Sequence, residues 1–268
     1  YEILRCLVGS EMCIRDSNYA TINQKGGINM KIIFARHAEP DYENDTITEK
    51  GKREAQLLAQ RLSKTDIDEI YVSPLGRAKD TAAYTLEAVG KQAQELDWLH
   101  EFKGKVITPK GISSCWDRLP EYWTAKDDYY DFESWYKTPL MRTLNVKKEY
   151  KYVCDKTDEF LAEHGYVRDD RLYRAENPNR KTIVLFCHFA VECAILSRIF
   201  SVSPMVLWHN FVALPSSVTT IVTEERRKGT AQFRCTGFGD ISHLYAGGEE
   251  PSFAARFCEC YDDETRHD

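Results

Sequence analysis

The sequence lacks a long apolar run and an excess of positive charge. No stretch among its 268 residues approaches the roughly 18–20 apolar residues that cross a bilayer. The formal net charge is −6 at pH 7, so no global positive field would gather nucleic acid or anionic lipid. Internal repeats and low-complexity tracts are also missing. We therefore expect neither a membrane nor a nucleic acid as partner.

The sequence also lacks the cysteine spacing of a disulfide framework or a zinc finger. Its nine cysteines are an odd number scattered along the chain, which favours reduced thiols in a cytoplasmic protein. A metal site built from Cys258, Cys260 and His267 is the competing interpretation, but no second pair at finger-like spacing accompanies it. We expect no bound metal.

The composition is that of an ordinary globular protein. With 43% apolar and 29% charged residues, it excludes a disordered chain or a collagen-like fibre and allows a large buried core. Residues 1–29 do not share this patterning, and 7–17 resemble translated adapter sequence. We expect 1–29 to be a non-native or disordered leader, and the patterned chain to begin at Met30.

Strand and helix patterns alternate after Met30. Residues 31–35 and 67–72 are short runs of β-formers, and residues 77–89 have a helical pattern. Thr48 is a candidate N-cap for a helix whose apolar stripe has the spacing i, i+3, i+4, i+7: Ala55, Leu58, Ala59 and Leu62. This order predicts βαβ units with a parallel sheet.

The second half of the chain continues the pattern after an interruption. Residues 93–99 hold a weak strand, 182–187 a buried strand, 190–200 a helix, and 217–223 and 231–236 two strands around a polar turn. Between them, 105–180 is rich in tryptophan, tyrosine, proline and charge. The sequence predicts an α/β three-layer sandwich with a mostly parallel central sheet flanked by helices. A helical and loop-rich insertion cap is expected at about 105–180, and a C-terminal extension at 245–268.

Basic side chains follow three of the predicted strands. Arg36 and His37 come after the first, Arg77 follows the second within a few residues, and His188 comes directly after the strand 182–187. Parallel strands deliver these groups to one sheet edge, where such sheets bind ligands. Two arginines and two histidines there favour a phosphate, and the helix beginning near Arg77 could add N–H donors. Taken singly, each has a structural explanation; Arg77, for example, could pair with Asp80 or Glu87 on its own helix.

Five segments resemble motifs of the histidine phosphatase superfamily, the phosphoglycerate mutase-like proteins. Residues 34–40 resemble its Arg-His-Gly signature and 73–82 its Ser-Pro-Leu-x-Arg-Ala motif. Residues 99–104 resemble the Leu-x-Glu-x-x-Gly segment that carries its acid, and 184–188 and 239–244 resemble its second histidine strand and its C-terminal ending. The resemblance spans Met30 to about Leu244 and implies a phosphoglycerate mutase-like sandwich over 30–244.

The resemblance also implies roles for these residues. His37 would be the nucleophile that forms a phosphohistidine, and Arg36, Arg77 and His188 would bind the phosphate together with His37. Glu101 would act as general acid and base, which makes His37, Glu101 and His188 the catalytic set; Glu95 and Asp97 are rival carboxylates. Neither a metal nor a cofactor is required, because the cationic side chains neutralise the phosphate.

Departures from the family motifs refine the expectation. Ala38 and Phe189 stand where glycine is usual, and 40–43 do not reproduce the Ser/Thr-x-x-Asn of the mutase branch. We therefore expect a metal-independent phosphomonoester hydrolase acting on a small phosphorylated substrate. The alternatives are a phosphoglycerate mutase-type phosphotransferase and a non-catalytic phosphate-binding or interaction module. Candidate substrate contacts in the cap, which could instead form the cap's own core, are Trp116, Arg118, Trp123, Trp135 and Arg142.

Overall fold

The computed structural model describes residues 29–252. Almost all of the expected leader, 1–28, lies outside the described residues. So does 253–268, which carries the metal candidates Cys258, Cys260 and His267. No helix within 29–252 is long and apolar enough to cross a membrane.

The structure is built from twelve strands and seven α-helices among the described residues. The strands are β1 (Lys31–Arg36), β2 (Pro40–Asp41), β3 (Thr46–Ile47), β4 (Glu69–Val72), β5 (Gln94–Glu95), β6 (Lys105–Thr108), β7 (Gly111–Ser114), β8 (Tyr166–Asp169), β9 (Leu172–Ala175), β10 (Thr182–Cys187), β11 (Val218–Arg227) and β12 (Thr230–Asp240). The helices are α1 (Glu49–Leu62), α2 (Gly76–Val89), α3 (Pro120–Trp123), α4 (Val146–Glu163), α5 (Phe189–Phe200), α6 (Pro204–Asn210) and α7 (Ser242–Gly247).

Eight strands form one central sheet in the order β5-β4-β10-β1-β11-β12-β9-β8. The strands β5, β4, β10 and β1 are parallel, whereas β11, β12, β9 and β8 add antiparallel pairings. The sheet is therefore mixed, and the parallel half is the half that was predicted from the βαβ pattern. The α/β architecture with a large sheet flanked by helices is confirmed.

The centre of the sheet, formed by β1 and β10, is buried on both faces. Along β1, Ile33 and Ala35 pack with Leu58 and Leu62 of α1, whereas Ile32 and Phe34 belong to the core on the opposite face. This alternation is the two-residue period of a strand, and it creates three layers. Thr48 caps α1 as expected, because its side chain accepts a hydrogen bond from the N–H of Gly51.

Four strands within the predicted cap, β6 to β9, were not predicted. β8 and β9 form a hairpin that extends the central sheet beyond β12, and α4 packs against α5. Only Tyr166 and Tyr173 of this hairpin are fully buried, so its short polar strands carry little hydrophobic pattern. Within 105–180, residues 146–175 thus contribute to the central layers, and 105–145 contain the β6–β7 hairpin and α3. The division into domains stays a prediction.

The charged segment 224–229 is not a long turn. β11 continues to Arg227 and β12 begins at Thr230, so the turn is limited to Lys228 and Gly229. Glu224 accepts hydrogen bonds from Gln232 and Arg234 on the neighbouring strand. These cross-strand pairs stabilise strands that extend into solvent, where hydrophobic alternation no longer marks them.

Candidate active site

Three parallel strands end together at one edge of the sheet. Arg36 at the end of β1 is paired with Cys187 at the end of β10, and Phe186 is paired with Val72 at the end of β4. The residues that follow these strands, His37, His188 and Ser73, therefore lie side by side. The structure brings the predicted basic groups together at the carboxyl edge of the parallel half-sheet.

His37 is buried with one ring nitrogen engaged. Its Nδ1 lies 2.8 Å from the carbonyl oxygen of Ala38, which can only accept, so the proton is on Nδ1 and Nε2 carries the lone pair. Nε2 makes no hydrogen bond within 29–252. Burial lowers the pKa of His37 well below its ordinary value, and the charges of Arg36 and Arg77 lower it further. His37 is thus a neutral imidazole with an available lone pair.

His188 lies against His37, with ring centroids 5.1 Å apart. Its Nε2 is 2.8 Å from the hydroxyl of Ser73, and its buried Nδ1 has no hydrogen-bond partner among the described residues. Burial lowers the pKa of His188 well below the ordinary value, and His37, Arg77 and Arg36 contribute in the same direction. His188 is therefore also neutral and has one nitrogen left for a ligand.

Arg36 is fully buried between the sheet and the segment before β11. Its Nη1 donates to the carbonyl oxygen of Ala213, and its guanidinium carbon lies 5.8 Å from the centre of the Phe189 ring. The ring at position 189, where the family pattern has glycine, therefore lies within cation–π distance of a phosphate-binding candidate.

Arg77 pairs neither with Asp80 nor with Glu87. Its Nη1 donates to Oδ1 of Asp45 at 2.7 Å, whereas Asp80 accepts a hydrogen bond from Thr46. The other carboxylate oxygen of Asp45 accepts from the N–H of Gly76 at the start of α2, so this N–H is not open to a ligand. Asp45 carries no sequence signal, because it lies in a polar turn without hydrophobic periodicity.

Glu101 is the carboxylate that lies beside these basic groups. Its Oε1 accepts hydrogen bonds from the N–H groups of Phe102 at 2.8 Å and of Ala190 and Val191 at 3.1 Å. Its Oε2 makes no hydrogen bond within 29–252. Burial raises the pKa of Glu101, although these donors and the charges of Arg36 and Arg77 oppose the increase. Since Ala190 and Val191 begin the helix after His188, the same element positions both groups.

The rival carboxylates are engaged elsewhere. Glu95 lies on the edge strand β5 and pairs with Lys79 in a solvent-exposed salt bridge. Asp97 accepts a long hydrogen bond of 3.5 Å from the hydroxyl of Tyr152. Neither is among the main causes of the pKa shifts of His37 and His188.

Three of the cap candidates contact α6, which lies outside the predicted cap. Trp123 stacks on His209 of α6, with centroids 5.0 Å apart, and the backbone N–H of Arg118 donates to the same imidazole. Trp135 is completely buried against Trp208. Trp116 is half-buried, Arg142 is exposed, and the Arg118 side chain bonds the hydroxyl of Ser113. The two buried tryptophans, which also contact Tyr130 and Tyr136, therefore pack between the cap and α6.

One buried acid near the site escaped sequence reasoning. Glu192 in the first turn of α5 is fully buried, and burial raises its pKa to about 7 against a hydrogen bond from Thr219 and the charge of Arg36. An acid at this position of a helix is usually solvated, so its burial could not be predicted from the sequence. Within the part of the chain that the structure describes, no group of three or more histidine, cysteine, aspartate or glutamate side chains could hold a metal ion.

The sequence is similar to those of known phosphatases and phosphoglycerate mutases. A phosphoserine phosphatase of Hydrogenobacter thermophilus is 26% identical over 207 residues, which cover 74% of this chain and 89% of that protein. A 2,3-bisphosphoglycerate-dependent phosphoglycerate mutase of Thermoplasma acidophilum is 38% identical over 73 residues, covering 23% of this chain and 36% of the mutase.

Solved structures share the fold. A phosphoserine phosphatase mutant of Entamoeba histolytica, crystallised with phosphoserine, superimposes with a TM-score of 0.54 at 21% identity. The match covers 80% of this chain and 99% of the other. The family model described as the histidine phosphatase superfamily (branch 1) matches residues 32–236. This chain belongs to the histidine phosphatase superfamily.

Proposed function

We propose that the protein is a phosphomonoester hydrolase that works through a phosphohistidine on His37, without metal or cofactor. One observation carries the proposal. Two buried nitrogens, Nε of Arg77 and Nδ1 of His188, have no hydrogen-bond partner within 29–252. The charge of Arg77 lowers the pKa of the neutral His37 imidazole, and the ring of His188 lies against that imidazole. Buried donors without a partner are rare, and a phosphate would satisfy both.

Substrate binding uses the free edges of these side chains. Because Nη1 of Arg77 is engaged by Asp45, its Nε and Nη2 form the edge that would hold two phosphate oxygens. Nδ1 of His188 would donate to a third. Arg36 adds a second guanidinium charge beside His37. These groups oppose the charge that phosphoryl oxygens share in the transition state, the task that metal ions perform in other phosphoryl-transfer enzymes.

Phosphoryl transfer begins with attack by Nε2 of His37 on phosphorus. The N–P bond forms as the P–O bond to the leaving group breaks, and Oε2 of Glu101 gives its proton to the departing oxygen. The raised pKa of Glu101 keeps that proton available closer to neutral pH. In the second half, Glu101 takes a proton from water, the water oxygen attacks phosphorus, and the N–P bond breaks to release phosphate and restore His37.

The relatives favour hydrolysis over a mutase reaction. The phosphoserine phosphatase of Hydrogenobacter thermophilus matches this chain over most of both lengths, whereas the Thermoplasma acidophilum mutase matches over about a third of its own. The names of these relatives make phosphoserine and other small phosphate esters the first substrates to test. We also propose a cytoplasmic location, supported by the free thiols of the described cysteines Cys115, Cys154, Cys187, Cys193 and Cys235.

The test is hydrolysis of p-nitrophenyl phosphate by the full chain in the presence of a chelator. We expect steady phosphate release that is lost in His37→Ala and retained in His164→Gln, a control whose imidazole pairs with Glu69 at a distance from the site in sequence and fold. Rapid alkaline quenching should trap an acid-labile phosphoryl group on the wild-type protein and none on His37→Ala.

Other outcomes would overturn the proposal. Turnover that survives in His37→Ala contradicts the phosphohistidine. A strict requirement for added Mg²⁺ contradicts the metal-independent mechanism. Isomerisation of 3-phosphoglycerate that depends on 2,3-bisphosphoglycerate would indicate the mutase, and phosphate binding without either reaction would indicate a binding module.

A further inference from the structure

Asp45 is fixed in place at the border of the site. It lies in the turn between β2 and β3 with a φ of 49°, in the left-handed region that aspartate tolerates better than most residues. The turn approaches α2 so closely that a Cβ at Gly76 would lie 2.0 Å from the Asp45 carbonyl oxygen. Glycine at position 76 therefore lets the turn sit on the start of α2.

The Asp45 carboxylate bridges Arg77 and α2. Oδ1 lies 2.7 Å from Nη1 of Arg77, and Oδ2 lies 2.7 Å from the backbone nitrogen of Gly76. The ring of Tyr42, from the same turn, lies 5.3 Å from the guanidinium carbon of Arg77. The Arg77 side chain is only 11% exposed, whereas that of Asp45 is 44% exposed. The carboxylate therefore remains accessible at the rim while it holds an almost buried cation.

The ion pair between Asp45 and Arg77 reduces the net positive charge of the site. Arg36 and Arg77 are the cations that lower the pKa of His37, and both histidines are neutral. Asp45 compensates the charge of Arg77 from the side opposite its free Nε edge. A phosphoryl group bound here would therefore face two guanidinium groups: that of Arg77, whose charge Asp45 compensates, and that of Arg36, which is fully buried. A second anionic group near this rim would meet the Asp45 carboxylate.

We infer that Asp45 is a specificity-determining residue that disfavours phosphate esters whose leaving group carries a net negative charge. The inference rests on the proposed function, since it concerns the same phosphate site. Like charges brought together at such a rim reduce affinity, and at an effective dielectric constant near 20 the reduction is about tenfold or more. A residue that only caps α2 would instead affect charged and neutral substrates equally.

The test compares two esters that differ in charge but hardly in shape, 4-carboxyphenyl phosphate and 4-carbamoylphenyl phosphate. We expect wild-type kcat/KM to be higher for the carbamoyl ester. In Asp45→Asn, the carboxy-to-carbamoyl ratio of kcat/KM should rise about tenfold. Asp45→Gly, which suits the positive φ, should raise the same ratio and guards against a folding defect of the asparagine variant.

Asp41→Asn is the matched control. It removes a carboxylate from the same turn, but Asp41 accepts hydrogen bonds from Glu43 and Asn44 and does not contact Arg77. Its ratio should equal that of the wild type. An unchanged ratio in both Asp45 variants, or an equal rise in Asp41→Asn, would overturn the inference. If neither ester is hydrolysed, the proposed function is wrong. The inference is then tested by binding alone: the carboxy-to-carbamoyl ratio of dissociation constants should fall in the Asp45 variants and stay unchanged in Asp41→Asn.

Discussion

The hydroxyl of Ser73 lies 2.8 Å from Nε2 of His188, and both residues are completely buried. The same oxygen accepts a hydrogen bond from the N–H of Leu75 at 3.3 Å. This bond uses one of the two lone pairs of the hydroxyl and leaves its hydrogen available, which Ser73 can donate to Nε2 of His188. That donation places the imidazole proton on Nδ1, the nitrogen that has no partner within 29–252. Ser73 thereby selects the tautomer that can bind a phosphate oxygen.

Ser73→Ala is expected to lower kcat/KM for p-nitrophenyl phosphate by roughly tenfold to hundredfold. The reason is that His188 loses the partner that fixes its tautomer, and a lost buried hydrogen bond corresponds to about 1–3 kcal/mol. Ser217→Ala is the control, because the buried Ser217 hydroxyl has no hydrogen-bond partner among the described residues. Equal losses in the two variants would mean that Ser73 acts only through packing.

The pH dependence of kcat/KM should reflect Glu101 on the alkaline side. The protonated carboxyl is needed to release a poor leaving group, and its raised pKa means that activity towards phosphoserine falls only when the pH rises through that raised value. On the acid side, the lowered pKa of His37 keeps the imidazole neutral, so its loss of activity should lie below the range of an ordinary histidine.

Two variants assign the alkaline limb. Glu101→Gln should lower the activity and remove the limb, since its amide cannot donate a proton to the leaving group. Glu192→Gln should retain the limb, although Glu192 has a pKa of about 7, because its carboxyl bonds Thr219. If the alkaline limb persists in Glu101→Gln and disappears in Glu192→Gln, the titrating acid is Glu192, and the assignment of the limb to Glu101 is contradicted.

The residues that sequence reasoning located are those whose neighbours are fixed by strand direction. Arg36 ends a strand with a continuous hydrophobic run, and His37 and His188 immediately follow such strands, so the parallel order alone brings them together. Asp45 could not be found in this way, because its contact with Arg77 depends on a left-handed turn and on the close approach at Gly76. The β8–β9 hairpin was missed for a related reason: two buried tyrosines do not form a periodic pattern.

Buried acids should make the stability of the protein depend on pH. The pKa of Glu192 is about 7 in the folded protein because burial disfavours the charged form, against about 4.5 for an ordinary glutamate. The folded state therefore holds this proton more tightly. The contribution to stability is complete below the unfolded pKa and is lost as the pH rises from about 4.5 to about 7, by roughly 3 kcal/mol.

Glu192→Gln removes this titration, so its free energy of unfolding relative to the wild type should increase between pH 5 and pH 8. Urea denaturation at each pH measures the difference.

Glu249→Gln should show the opposite pH dependence of stability. Hydrogen bonds from Arg53 and Lys50 lower the pKa of Glu249 to about 2. Its carboxylate stabilises the fold above the unfolded pKa, and that contribution disappears as the pH falls through the folded value. Glu249→Gln should therefore be less stable than the wild type at neutral pH, and the deficit should shrink in acid. If the free energy of unfolding relative to the wild type changes in the same direction with pH in both variants, the net charge of the protein governs the effect rather than the burial of Glu192.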